Sequence, residues 1–146
     1  MSISHDGKML AYGISRSGSD WNEIYVMDIN SKEKLDDKVE WVKFSGIAWH
    51  NGGFYYSRYP EPVKGEEYSD KNENHKIYYH KIGTPQSEDK LVFEDKENPL
   101  RTMNAQVTED EKYLLIYESE STSGNALYFK DLTQKGSDIL LLAEGF

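Results

Sequence analysis

One pattern occurs three times along this chain: a polar turn, an aromatic-rich strand, a loop, and a second strand that ends in another polar turn. The first copy opens with Ser4-His5-Asp6-Gly7-Lys8 and continues through "MLAYGISRSGSDWNEIYVMDI". The second opens with Trp49-His50-Asn51-Gly52-Gly53 and continues through "FYYSRY" and "KIYYHKIG". The third opens with Thr108-Glu109-Asp110-Glu111-Lys112 and continues through "YLLIYES" and "ALYFKDL". Tyr25, Tyr78 and Tyr128 occupy matching places, roughly fifty residues apart, a period within the range of propeller blades.

Short runs rich in Val, Ile, Tyr and Phe, bounded by Gly, Asn, Asp and Ser, read as strands. They predict strands at Leu10–Arg16, Glu23–Ile29, Phe44–Trp49, Gly53–Tyr59, Lys76–Ile82, Lys90–Glu94, Asn104–Val107, Tyr113–Glu118, Ala126–Leu132 and Ile139–Leu142. No stretch holds a helical period over three turns, so the chain is expected to be all-β. Phe44–Trp49 through Lys90–Glu94 are expected to form one four-stranded antiparallel sheet, and Asn104–Val107 through Ile139–Leu142 the next. Each begins with small residues, "SGIAW" and "NAQV", which suit an innermost strand where neighbouring blades crowd a central channel.

The expected architecture is a partial β-propeller of about three blades, at about 1–41, 42–97 and 98–146. The first blade is expected to lack its inner strand. Three blades do not close a ring, so the chain reads as a piece of a longer polypeptide. The segment from Pro60 to His75 is long and charged for a hairpin connection and is expected to be a mobile surface excursion.

Composition narrows the partners. The formal charge is -9 over 146 residues, and an acidic surface repels phosphate backbones, which argues against nucleic acid. Cysteine is absent, which excludes disulfides and thiolate chemistry. The longest apolar run, Ile139 to Ala143, is too short to span a bilayer. No secretory signal opens the sequence. A soluble protein of the cytoplasm or periplasm fits these features.

No catalytic set is visible. A nucleophile elbow needs G-x-S-x-G between a strand and a helix; Gly13-Ile14-Ser15-Arg16-Ser17 fails at its last position and has no helix after it. His5 and His50 fall in turns and are expected to face solvent. His75 and His80 lack ligand partners at zinc spacing. Asp70, Asn72 and Asn74 imitate the start of a calcium loop, but His75 replaces its glycine and Lys81 its final glutamate. No metal site is therefore expected.

"SHDGKMLAYGISRSGSDWNEIYVMDI", "VKFSGIAW", "HKIYYHKIGTPQSEDKLVFED" and "LYFKDL" resemble consecutive parts of the seven-bladed propeller of the prolyl oligopeptidase (prolyl endopeptidase) family. The resemblance implies a serine peptidase whose propeller covers an α/β-hydrolase domain bearing a Ser-Asp-His triad. It implies short peptides cut after proline, with neither metal nor organic cofactor. This chain would be early-to-middle blades, non-catalytic by itself, partnered by the remaining blades, the hydrolase domain and proline-containing peptides. Truncated sheet edges would also invite edge-to-edge self-association.

The resemblance further implies which residues line the substrate cavity. Phe44, in "VKFS", matches a phenylalanine lining a subsite upstream of the proline pocket. Asp20, in "SGSDW", matches an acidic residue facing the cavity, and Trp21 is expected to be a core or hinge aromatic. A lining methionine corresponds to Thr102 or Met103. Glu118 and Ser121 depart from the family, which can carry an arginine and a cysteine there. Two other readings are a propeller-type protein-interaction scaffold, although the WD repeat is missing, and a dipeptidyl-peptidase-like propeller.

Overall fold

The computed structural model describes residues 1–67 and 71–145. Its strands are all antiparallel and form three successive meanders. The first meander contains β1 (Ser2–Ile3), β2 (Met9–Ser15), β3 (Asn22–Asp28) and β4 (Lys34–Val42). The second contains β5 (Ala48–His50), β6 (Gly53–Arg58), β7 (Lys76–Lys81) and β8 (Lys90–Glu94). The third contains β9 (Thr102–Val107), β10 (Tyr113–Glu120), β11 (Ser123–Asp131) and β12 (Leu140–Gly145). A short 3-10 turn, Gln86–Glu88, interrupts the link between β7 and β8.

The recurring turns are built alike because their side chains close the same loops. In the first, Ser4 Oγ donates to Asp6 Oδ1 at 2.6 Å, and the Lys8 and Met9 amides donate to Asp6 Oδ1 and Ser4 Oγ at 3.0 Å. In the third, Thr108 Oγ1 donates to Asp110 Oδ1 at 2.6 Å, and the Lys112 and Tyr113 amides donate back at 3.0 and 3.1 Å. A short polar side chain bonding backbone two residues on is the mechanism that makes Ser, Thr and Asp turn formers. The second copy uses another solution. His50 pairs with Gly53 across Asn51 and Gly52, both at positive φ (52° and 77°), the two-residue hairpin that Asn-Gly favours. In every copy the end of the third strand then bonds back to this turn: Ile29 N to Lys8 O, Ile82 N to Gly52 O, and Leu132 N to Lys112 O, at 2.9, 3.1 and 2.7 Å.

The apolar cores lie between meanders. One joins Ala11, Ile24, Val26, Val39 and Val42 to Trp49, Phe54 and Tyr56. The other joins Ala48, Tyr55 and Ile77 to Met103, Ala105, Leu114 and Ile116. Successive strand residues point to opposite faces, so Phe54 and Tyr56 face one core while Tyr55 faces the other. That explains why Gly53 through Ser57 are all buried: the second meander is covered on both sides. The first strands β1, β5 and β9 lie side by side.

The structure corrects several expectations. β4 was not foreseen, because "KLDDKVEWV" carries five charges; its buried face is Asp37, Val39 and Val42. Phe44–Trp49 is not one strand, since only Ala48–His50 pairs. The first meander does have an inner strand, the two-residue β1, pairing Ser2 with Ala11. The first two meanders are also one continuous sheet, through a single bridge between Val42 and Arg58. His50 is only one-fifth exposed at its side chain, close to Glu111 Oε1 (3.4 Å), rather than free in solvent. Of the segment from Pro60 to His75, residues 68–70, and with them Asp70 of the calcium-loop comparison, lie outside the described residues. His75 at its end is buried.

Candidate functional site

At the end of β4 and in the connection to β5, Trp41 and Phe44 both lie in the left-handed region, with φ of 62° and 54°. Bulky side chains rarely accept that conformation, and it recurs where a fold holds a side chain for a purpose. Here it turns Phe44 outward, 54% exposed. Phe44 rims a hollow of about 620 Å³, walled by Ser45, Thr102, Asn104, Tyr117 and Ser119. Three of the four residues expected to line a cavity, Phe44, Thr102 and Met103, meet there. Met103 is 2% exposed and belongs mainly to the core, whereas Thr102 is half-buried, its hydroxyl 3.2 Å from Ser119 Oγ.

The wall is rigid because adjoining strands share its hydrogen bonds. Asn104 Oδ1 accepts the Gly46 amide at 3.0 Å. Ser57 Oγ donates to Met103 O at 2.7 Å. His75 is held from both sides: the Met103 amide donates to Nδ1 at 2.9 Å, so Nε2 carries the hydrogen and donates to Lys43 O at 2.8 Å. Burial holds the pKa of this imidazole down at about 4, so the ring is neutral.

Asp20 is not part of the hollow. It lies exposed in the β2–β3 connection, its carbonyl accepting from Asn22 Nδ2 at 3.3 Å. Trp21 beside it, expected as a core or hinge aromatic, packs among other aromatics. Its ring is edge-on to Trp41 and Tyr59 at 5.6 and 6.2 Å, Lys43 Nζ lies 4.2 Å over it, and Nε1 donates to Glu67 O at 2.6 Å. Tyr59 continues the aromatic row to Phe44 at 6.5 Å and to His75 at 4.5 Å. Its hydroxyl is buried without a partner among the described residues, and desolvation pushes its pKa up to about 12.

Glu118 and Ser121, the positions that depart from the family pattern, have different fates. Ser121 sits at the tip of the β10–β11 turn with φ 53°. Glu118 is fully buried with Arg101 Nη1 at 2.7 Å, and Asp95 and Glu120 share the same guanidinium at 3.6 and 3.7 Å. Burial, reinforced by the Asp95 charge, raises the Glu118 pKa against the pull of Arg101. Sequence reasoning missed Tyr117 and Asn104 as walls of the hollow. The strand parity of β10 carried the signal: Leu114 and Ile116 are buried, so Tyr117 points the other way, 42% exposed.

Four-stranded meanders packed face to face, with their first strands gathered together, define a segment of a β-propeller. Residues 1–146 match the family model described as prolyl oligopeptidase, N-terminal beta-propeller domain. The chain belongs to that family. It is 42% identical over 147 residues to a prolyl endopeptidase of Elizabethkingia meningoseptica, covering 100% of this chain and 21% of that protein. It is 43% identical over 151 residues to prolyl oligopeptidase A of Amanita bisporigera, covering 90% of this chain and 20% of that one. Prolyl oligopeptidase B of Galerina marginata, solved with a 25mer macrocyclization substrate, superposes with a TM-score of 0.86 at 34% identity, covering 99% of this chain and 22% of that structure. The chain thus spans about a fifth of the length of these relatives.

Proposed function

We propose that this chain is the substrate-gating propeller portion of a serine-type prolyl endopeptidase, one that cleaves short peptides after proline with a triad held in an α/β-hydrolase domain. The end-to-end likeness to the Elizabethkingia prolyl endopeptidase carries this reading. The three meanders serve as blades at about 1–41, 42–97 and 98–146. Phe44, with Thr102 and Met103, lines the cavity and receives an apolar peptide residue upstream of the proline. Asp20, exposed in the β2–β3 connection apart from that hollow, steers the basic end of a peptide. The remaining blades and the hydrolase domain are its partners, and the cytoplasm or periplasm is its compartment. Among the described residues, no helix is long and apolar enough to cross a membrane.

The reading is tested by grafting this chain into the Elizabethkingia enzyme in place of the matched segment. Proline-specific cleavage of short peptides should persist. Phe44→Ala in the graft should raise KM for peptides with an apolar residue upstream of proline about fivefold, with kcat little changed, because a lost aromatic contact is worth roughly 1 kcal/mol. A folded graft that cleaves without regard to proline would refute the reading.

A further inference from the structure

The seam between the first two meanders is held by a buried chain of acid, histidine and acid that neither the cavity nor the turns require. His80 on β7 and Asp37 on β4 are 0% and 7% exposed. His80 Nε2 lies 2.7 Å from Asp37 Oδ2, and Nδ1 lies 2.7 Å from Asp89 Oδ1. Ionised carboxylates only accept, so both ring nitrogens carry hydrogen and the ring is an imidazolium. Asp37 Oδ2 also accepts the Gly83 amide at 2.9 Å, and Asp89 Oδ2 accepts the Tyr56 hydroxyl at 2.5 Å. Phe54 covers the ring at 5.3 Å. Among the described residues, the titratable groups facing the ring are therefore Asp37 from β4, Asp89 from the connection to β8 and, through Asp89, Tyr56 from β6.

The rest of this seam is the apolar core around Trp49, Phe54 and Tyr56 and a few hydrogen bonds, among them Trp49 Nε1 donating to Ser2 O at 2.9 Å. The β4–β6 ladder is the single bridge at Val42 and Arg58. The Trp41 carbonyl accepts the Tyr59 amide at 3.2 Å, and the Gln86 side-chain amide pairs with the backbone of Glu40 at 2.9 and 3.0 Å. The buried hydrogen bonds between the second and third meanders come from Ser57, Asn104 and the uncharged His75, while the ion pairs there, His50 with Glu111 and Asp95 with Arg101, are part-exposed.

We propose that Asp37–His80–Asp89 is an ionic latch between the first two meanders, closed while the ring holds two protons and released when it loses one. A ring with one proton must set an acceptor against a carboxylate where water does not reach, and a buried charge left without its partner is strongly destabilising. Burial opposes the ring's charge, but the hydrogen bonds and charges of Asp89 and Asp37 outweigh it and raise its pKa. Release therefore comes above the ordinary histidine range and acts at the first seam, because both partners of the ring lie there.

The test follows the His80 ring by nitrogen NMR of the whole chain while amide exchange, corrected for its intrinsic pH dependence, is read at Lys34–Val42 and at β9–β10. The ring should hold two protons at pH 7. As it loses one, protection of Lys34–Val42 should fall at least tenfold while β9–β10 is unchanged. Asp37→Asn, which removes one of the two stabilising charges, should move this release to lower pH. The latch is overturned by a ring with one proton at pH 7, by protection at β4 that ignores the ring's titration, or by a folded Asp37→Asn protein that releases at the wild-type pH. Should Asp37→Asn fail to fold, the wild-type comparison of ring titration and seam exchange decides.

Discussion

His75 and His80 look equivalent in "HKIYYHK", yet the structure gives them opposite charge states, because one faces an amide and a carbonyl and the other faces two carboxylates. The pH dependence of stability follows with opposite signs. His75 titrates at about 4 when folded and near 6.5 when unfolded, so between those values the unfolded chain binds the extra proton. Its contribution is present above roughly 6.5 and lost as the pH falls towards 4, on the order of 3 kcal/mol in all. Urea midpoints should drop across that interval in the wild type and be flatter in His75→Gln. His80, with its folded pKa raised, contributes below roughly 6.5 and loses that contribution as the pH rises through the folded value.

At the scale of elements, β6 shows what it means to be covered on both faces. A Cβ on Gly53 would meet the His80 carbonyl at 2.2 Å and the Tyr79 hydroxyl at 2.6 Å. A backbone oxygen cannot step aside, so Gly53→Ala should destabilise by about 3 kcal/mol, readable as a shift in the thermal midpoint. Ile116, fully buried on β10, should cost about 3 kcal/mol as Ile116→Ala through lost contact and a residual cavity. The aromatic strands were legible because period-two runs ended in recognisable turns; Tyr25, Tyr78 and Tyr128 do fall on β3, β7 and β11, the third strands of their meanders. β4 was illegible for a physical reason. Its buried positions include Asp37, a charge that belongs inside only because His80, 43 residues away, meets it.

At the scale of the whole molecule, the third meander presents an open face and edge. Leu140, Leu141 and Leu142 on β12 are 52%, 51% and 59% exposed, and Tyr113 and Tyr117 on β10 add to the apolar surface. Exposed edges of this kind pair with other chains. The chain by itself should therefore show concentration-dependent association in light scattering, which Leu141→Lys on the β12 edge should weaken; a monomer at millimolar concentration would refute this. The sequence by itself determined the repeating meander, because turn chemistry and strand period act over a few residues and need no distant partner. It also carried the family likeness. Only the tertiary structure decided that Phe44 and Tyr117 line one hollow, that Asp20 stands apart from them, and that a buried imidazolium clasps the first seam. Those outcomes depend on which faces of separate strands come together, and such contacts are set by packing rather than by neighbours along the chain.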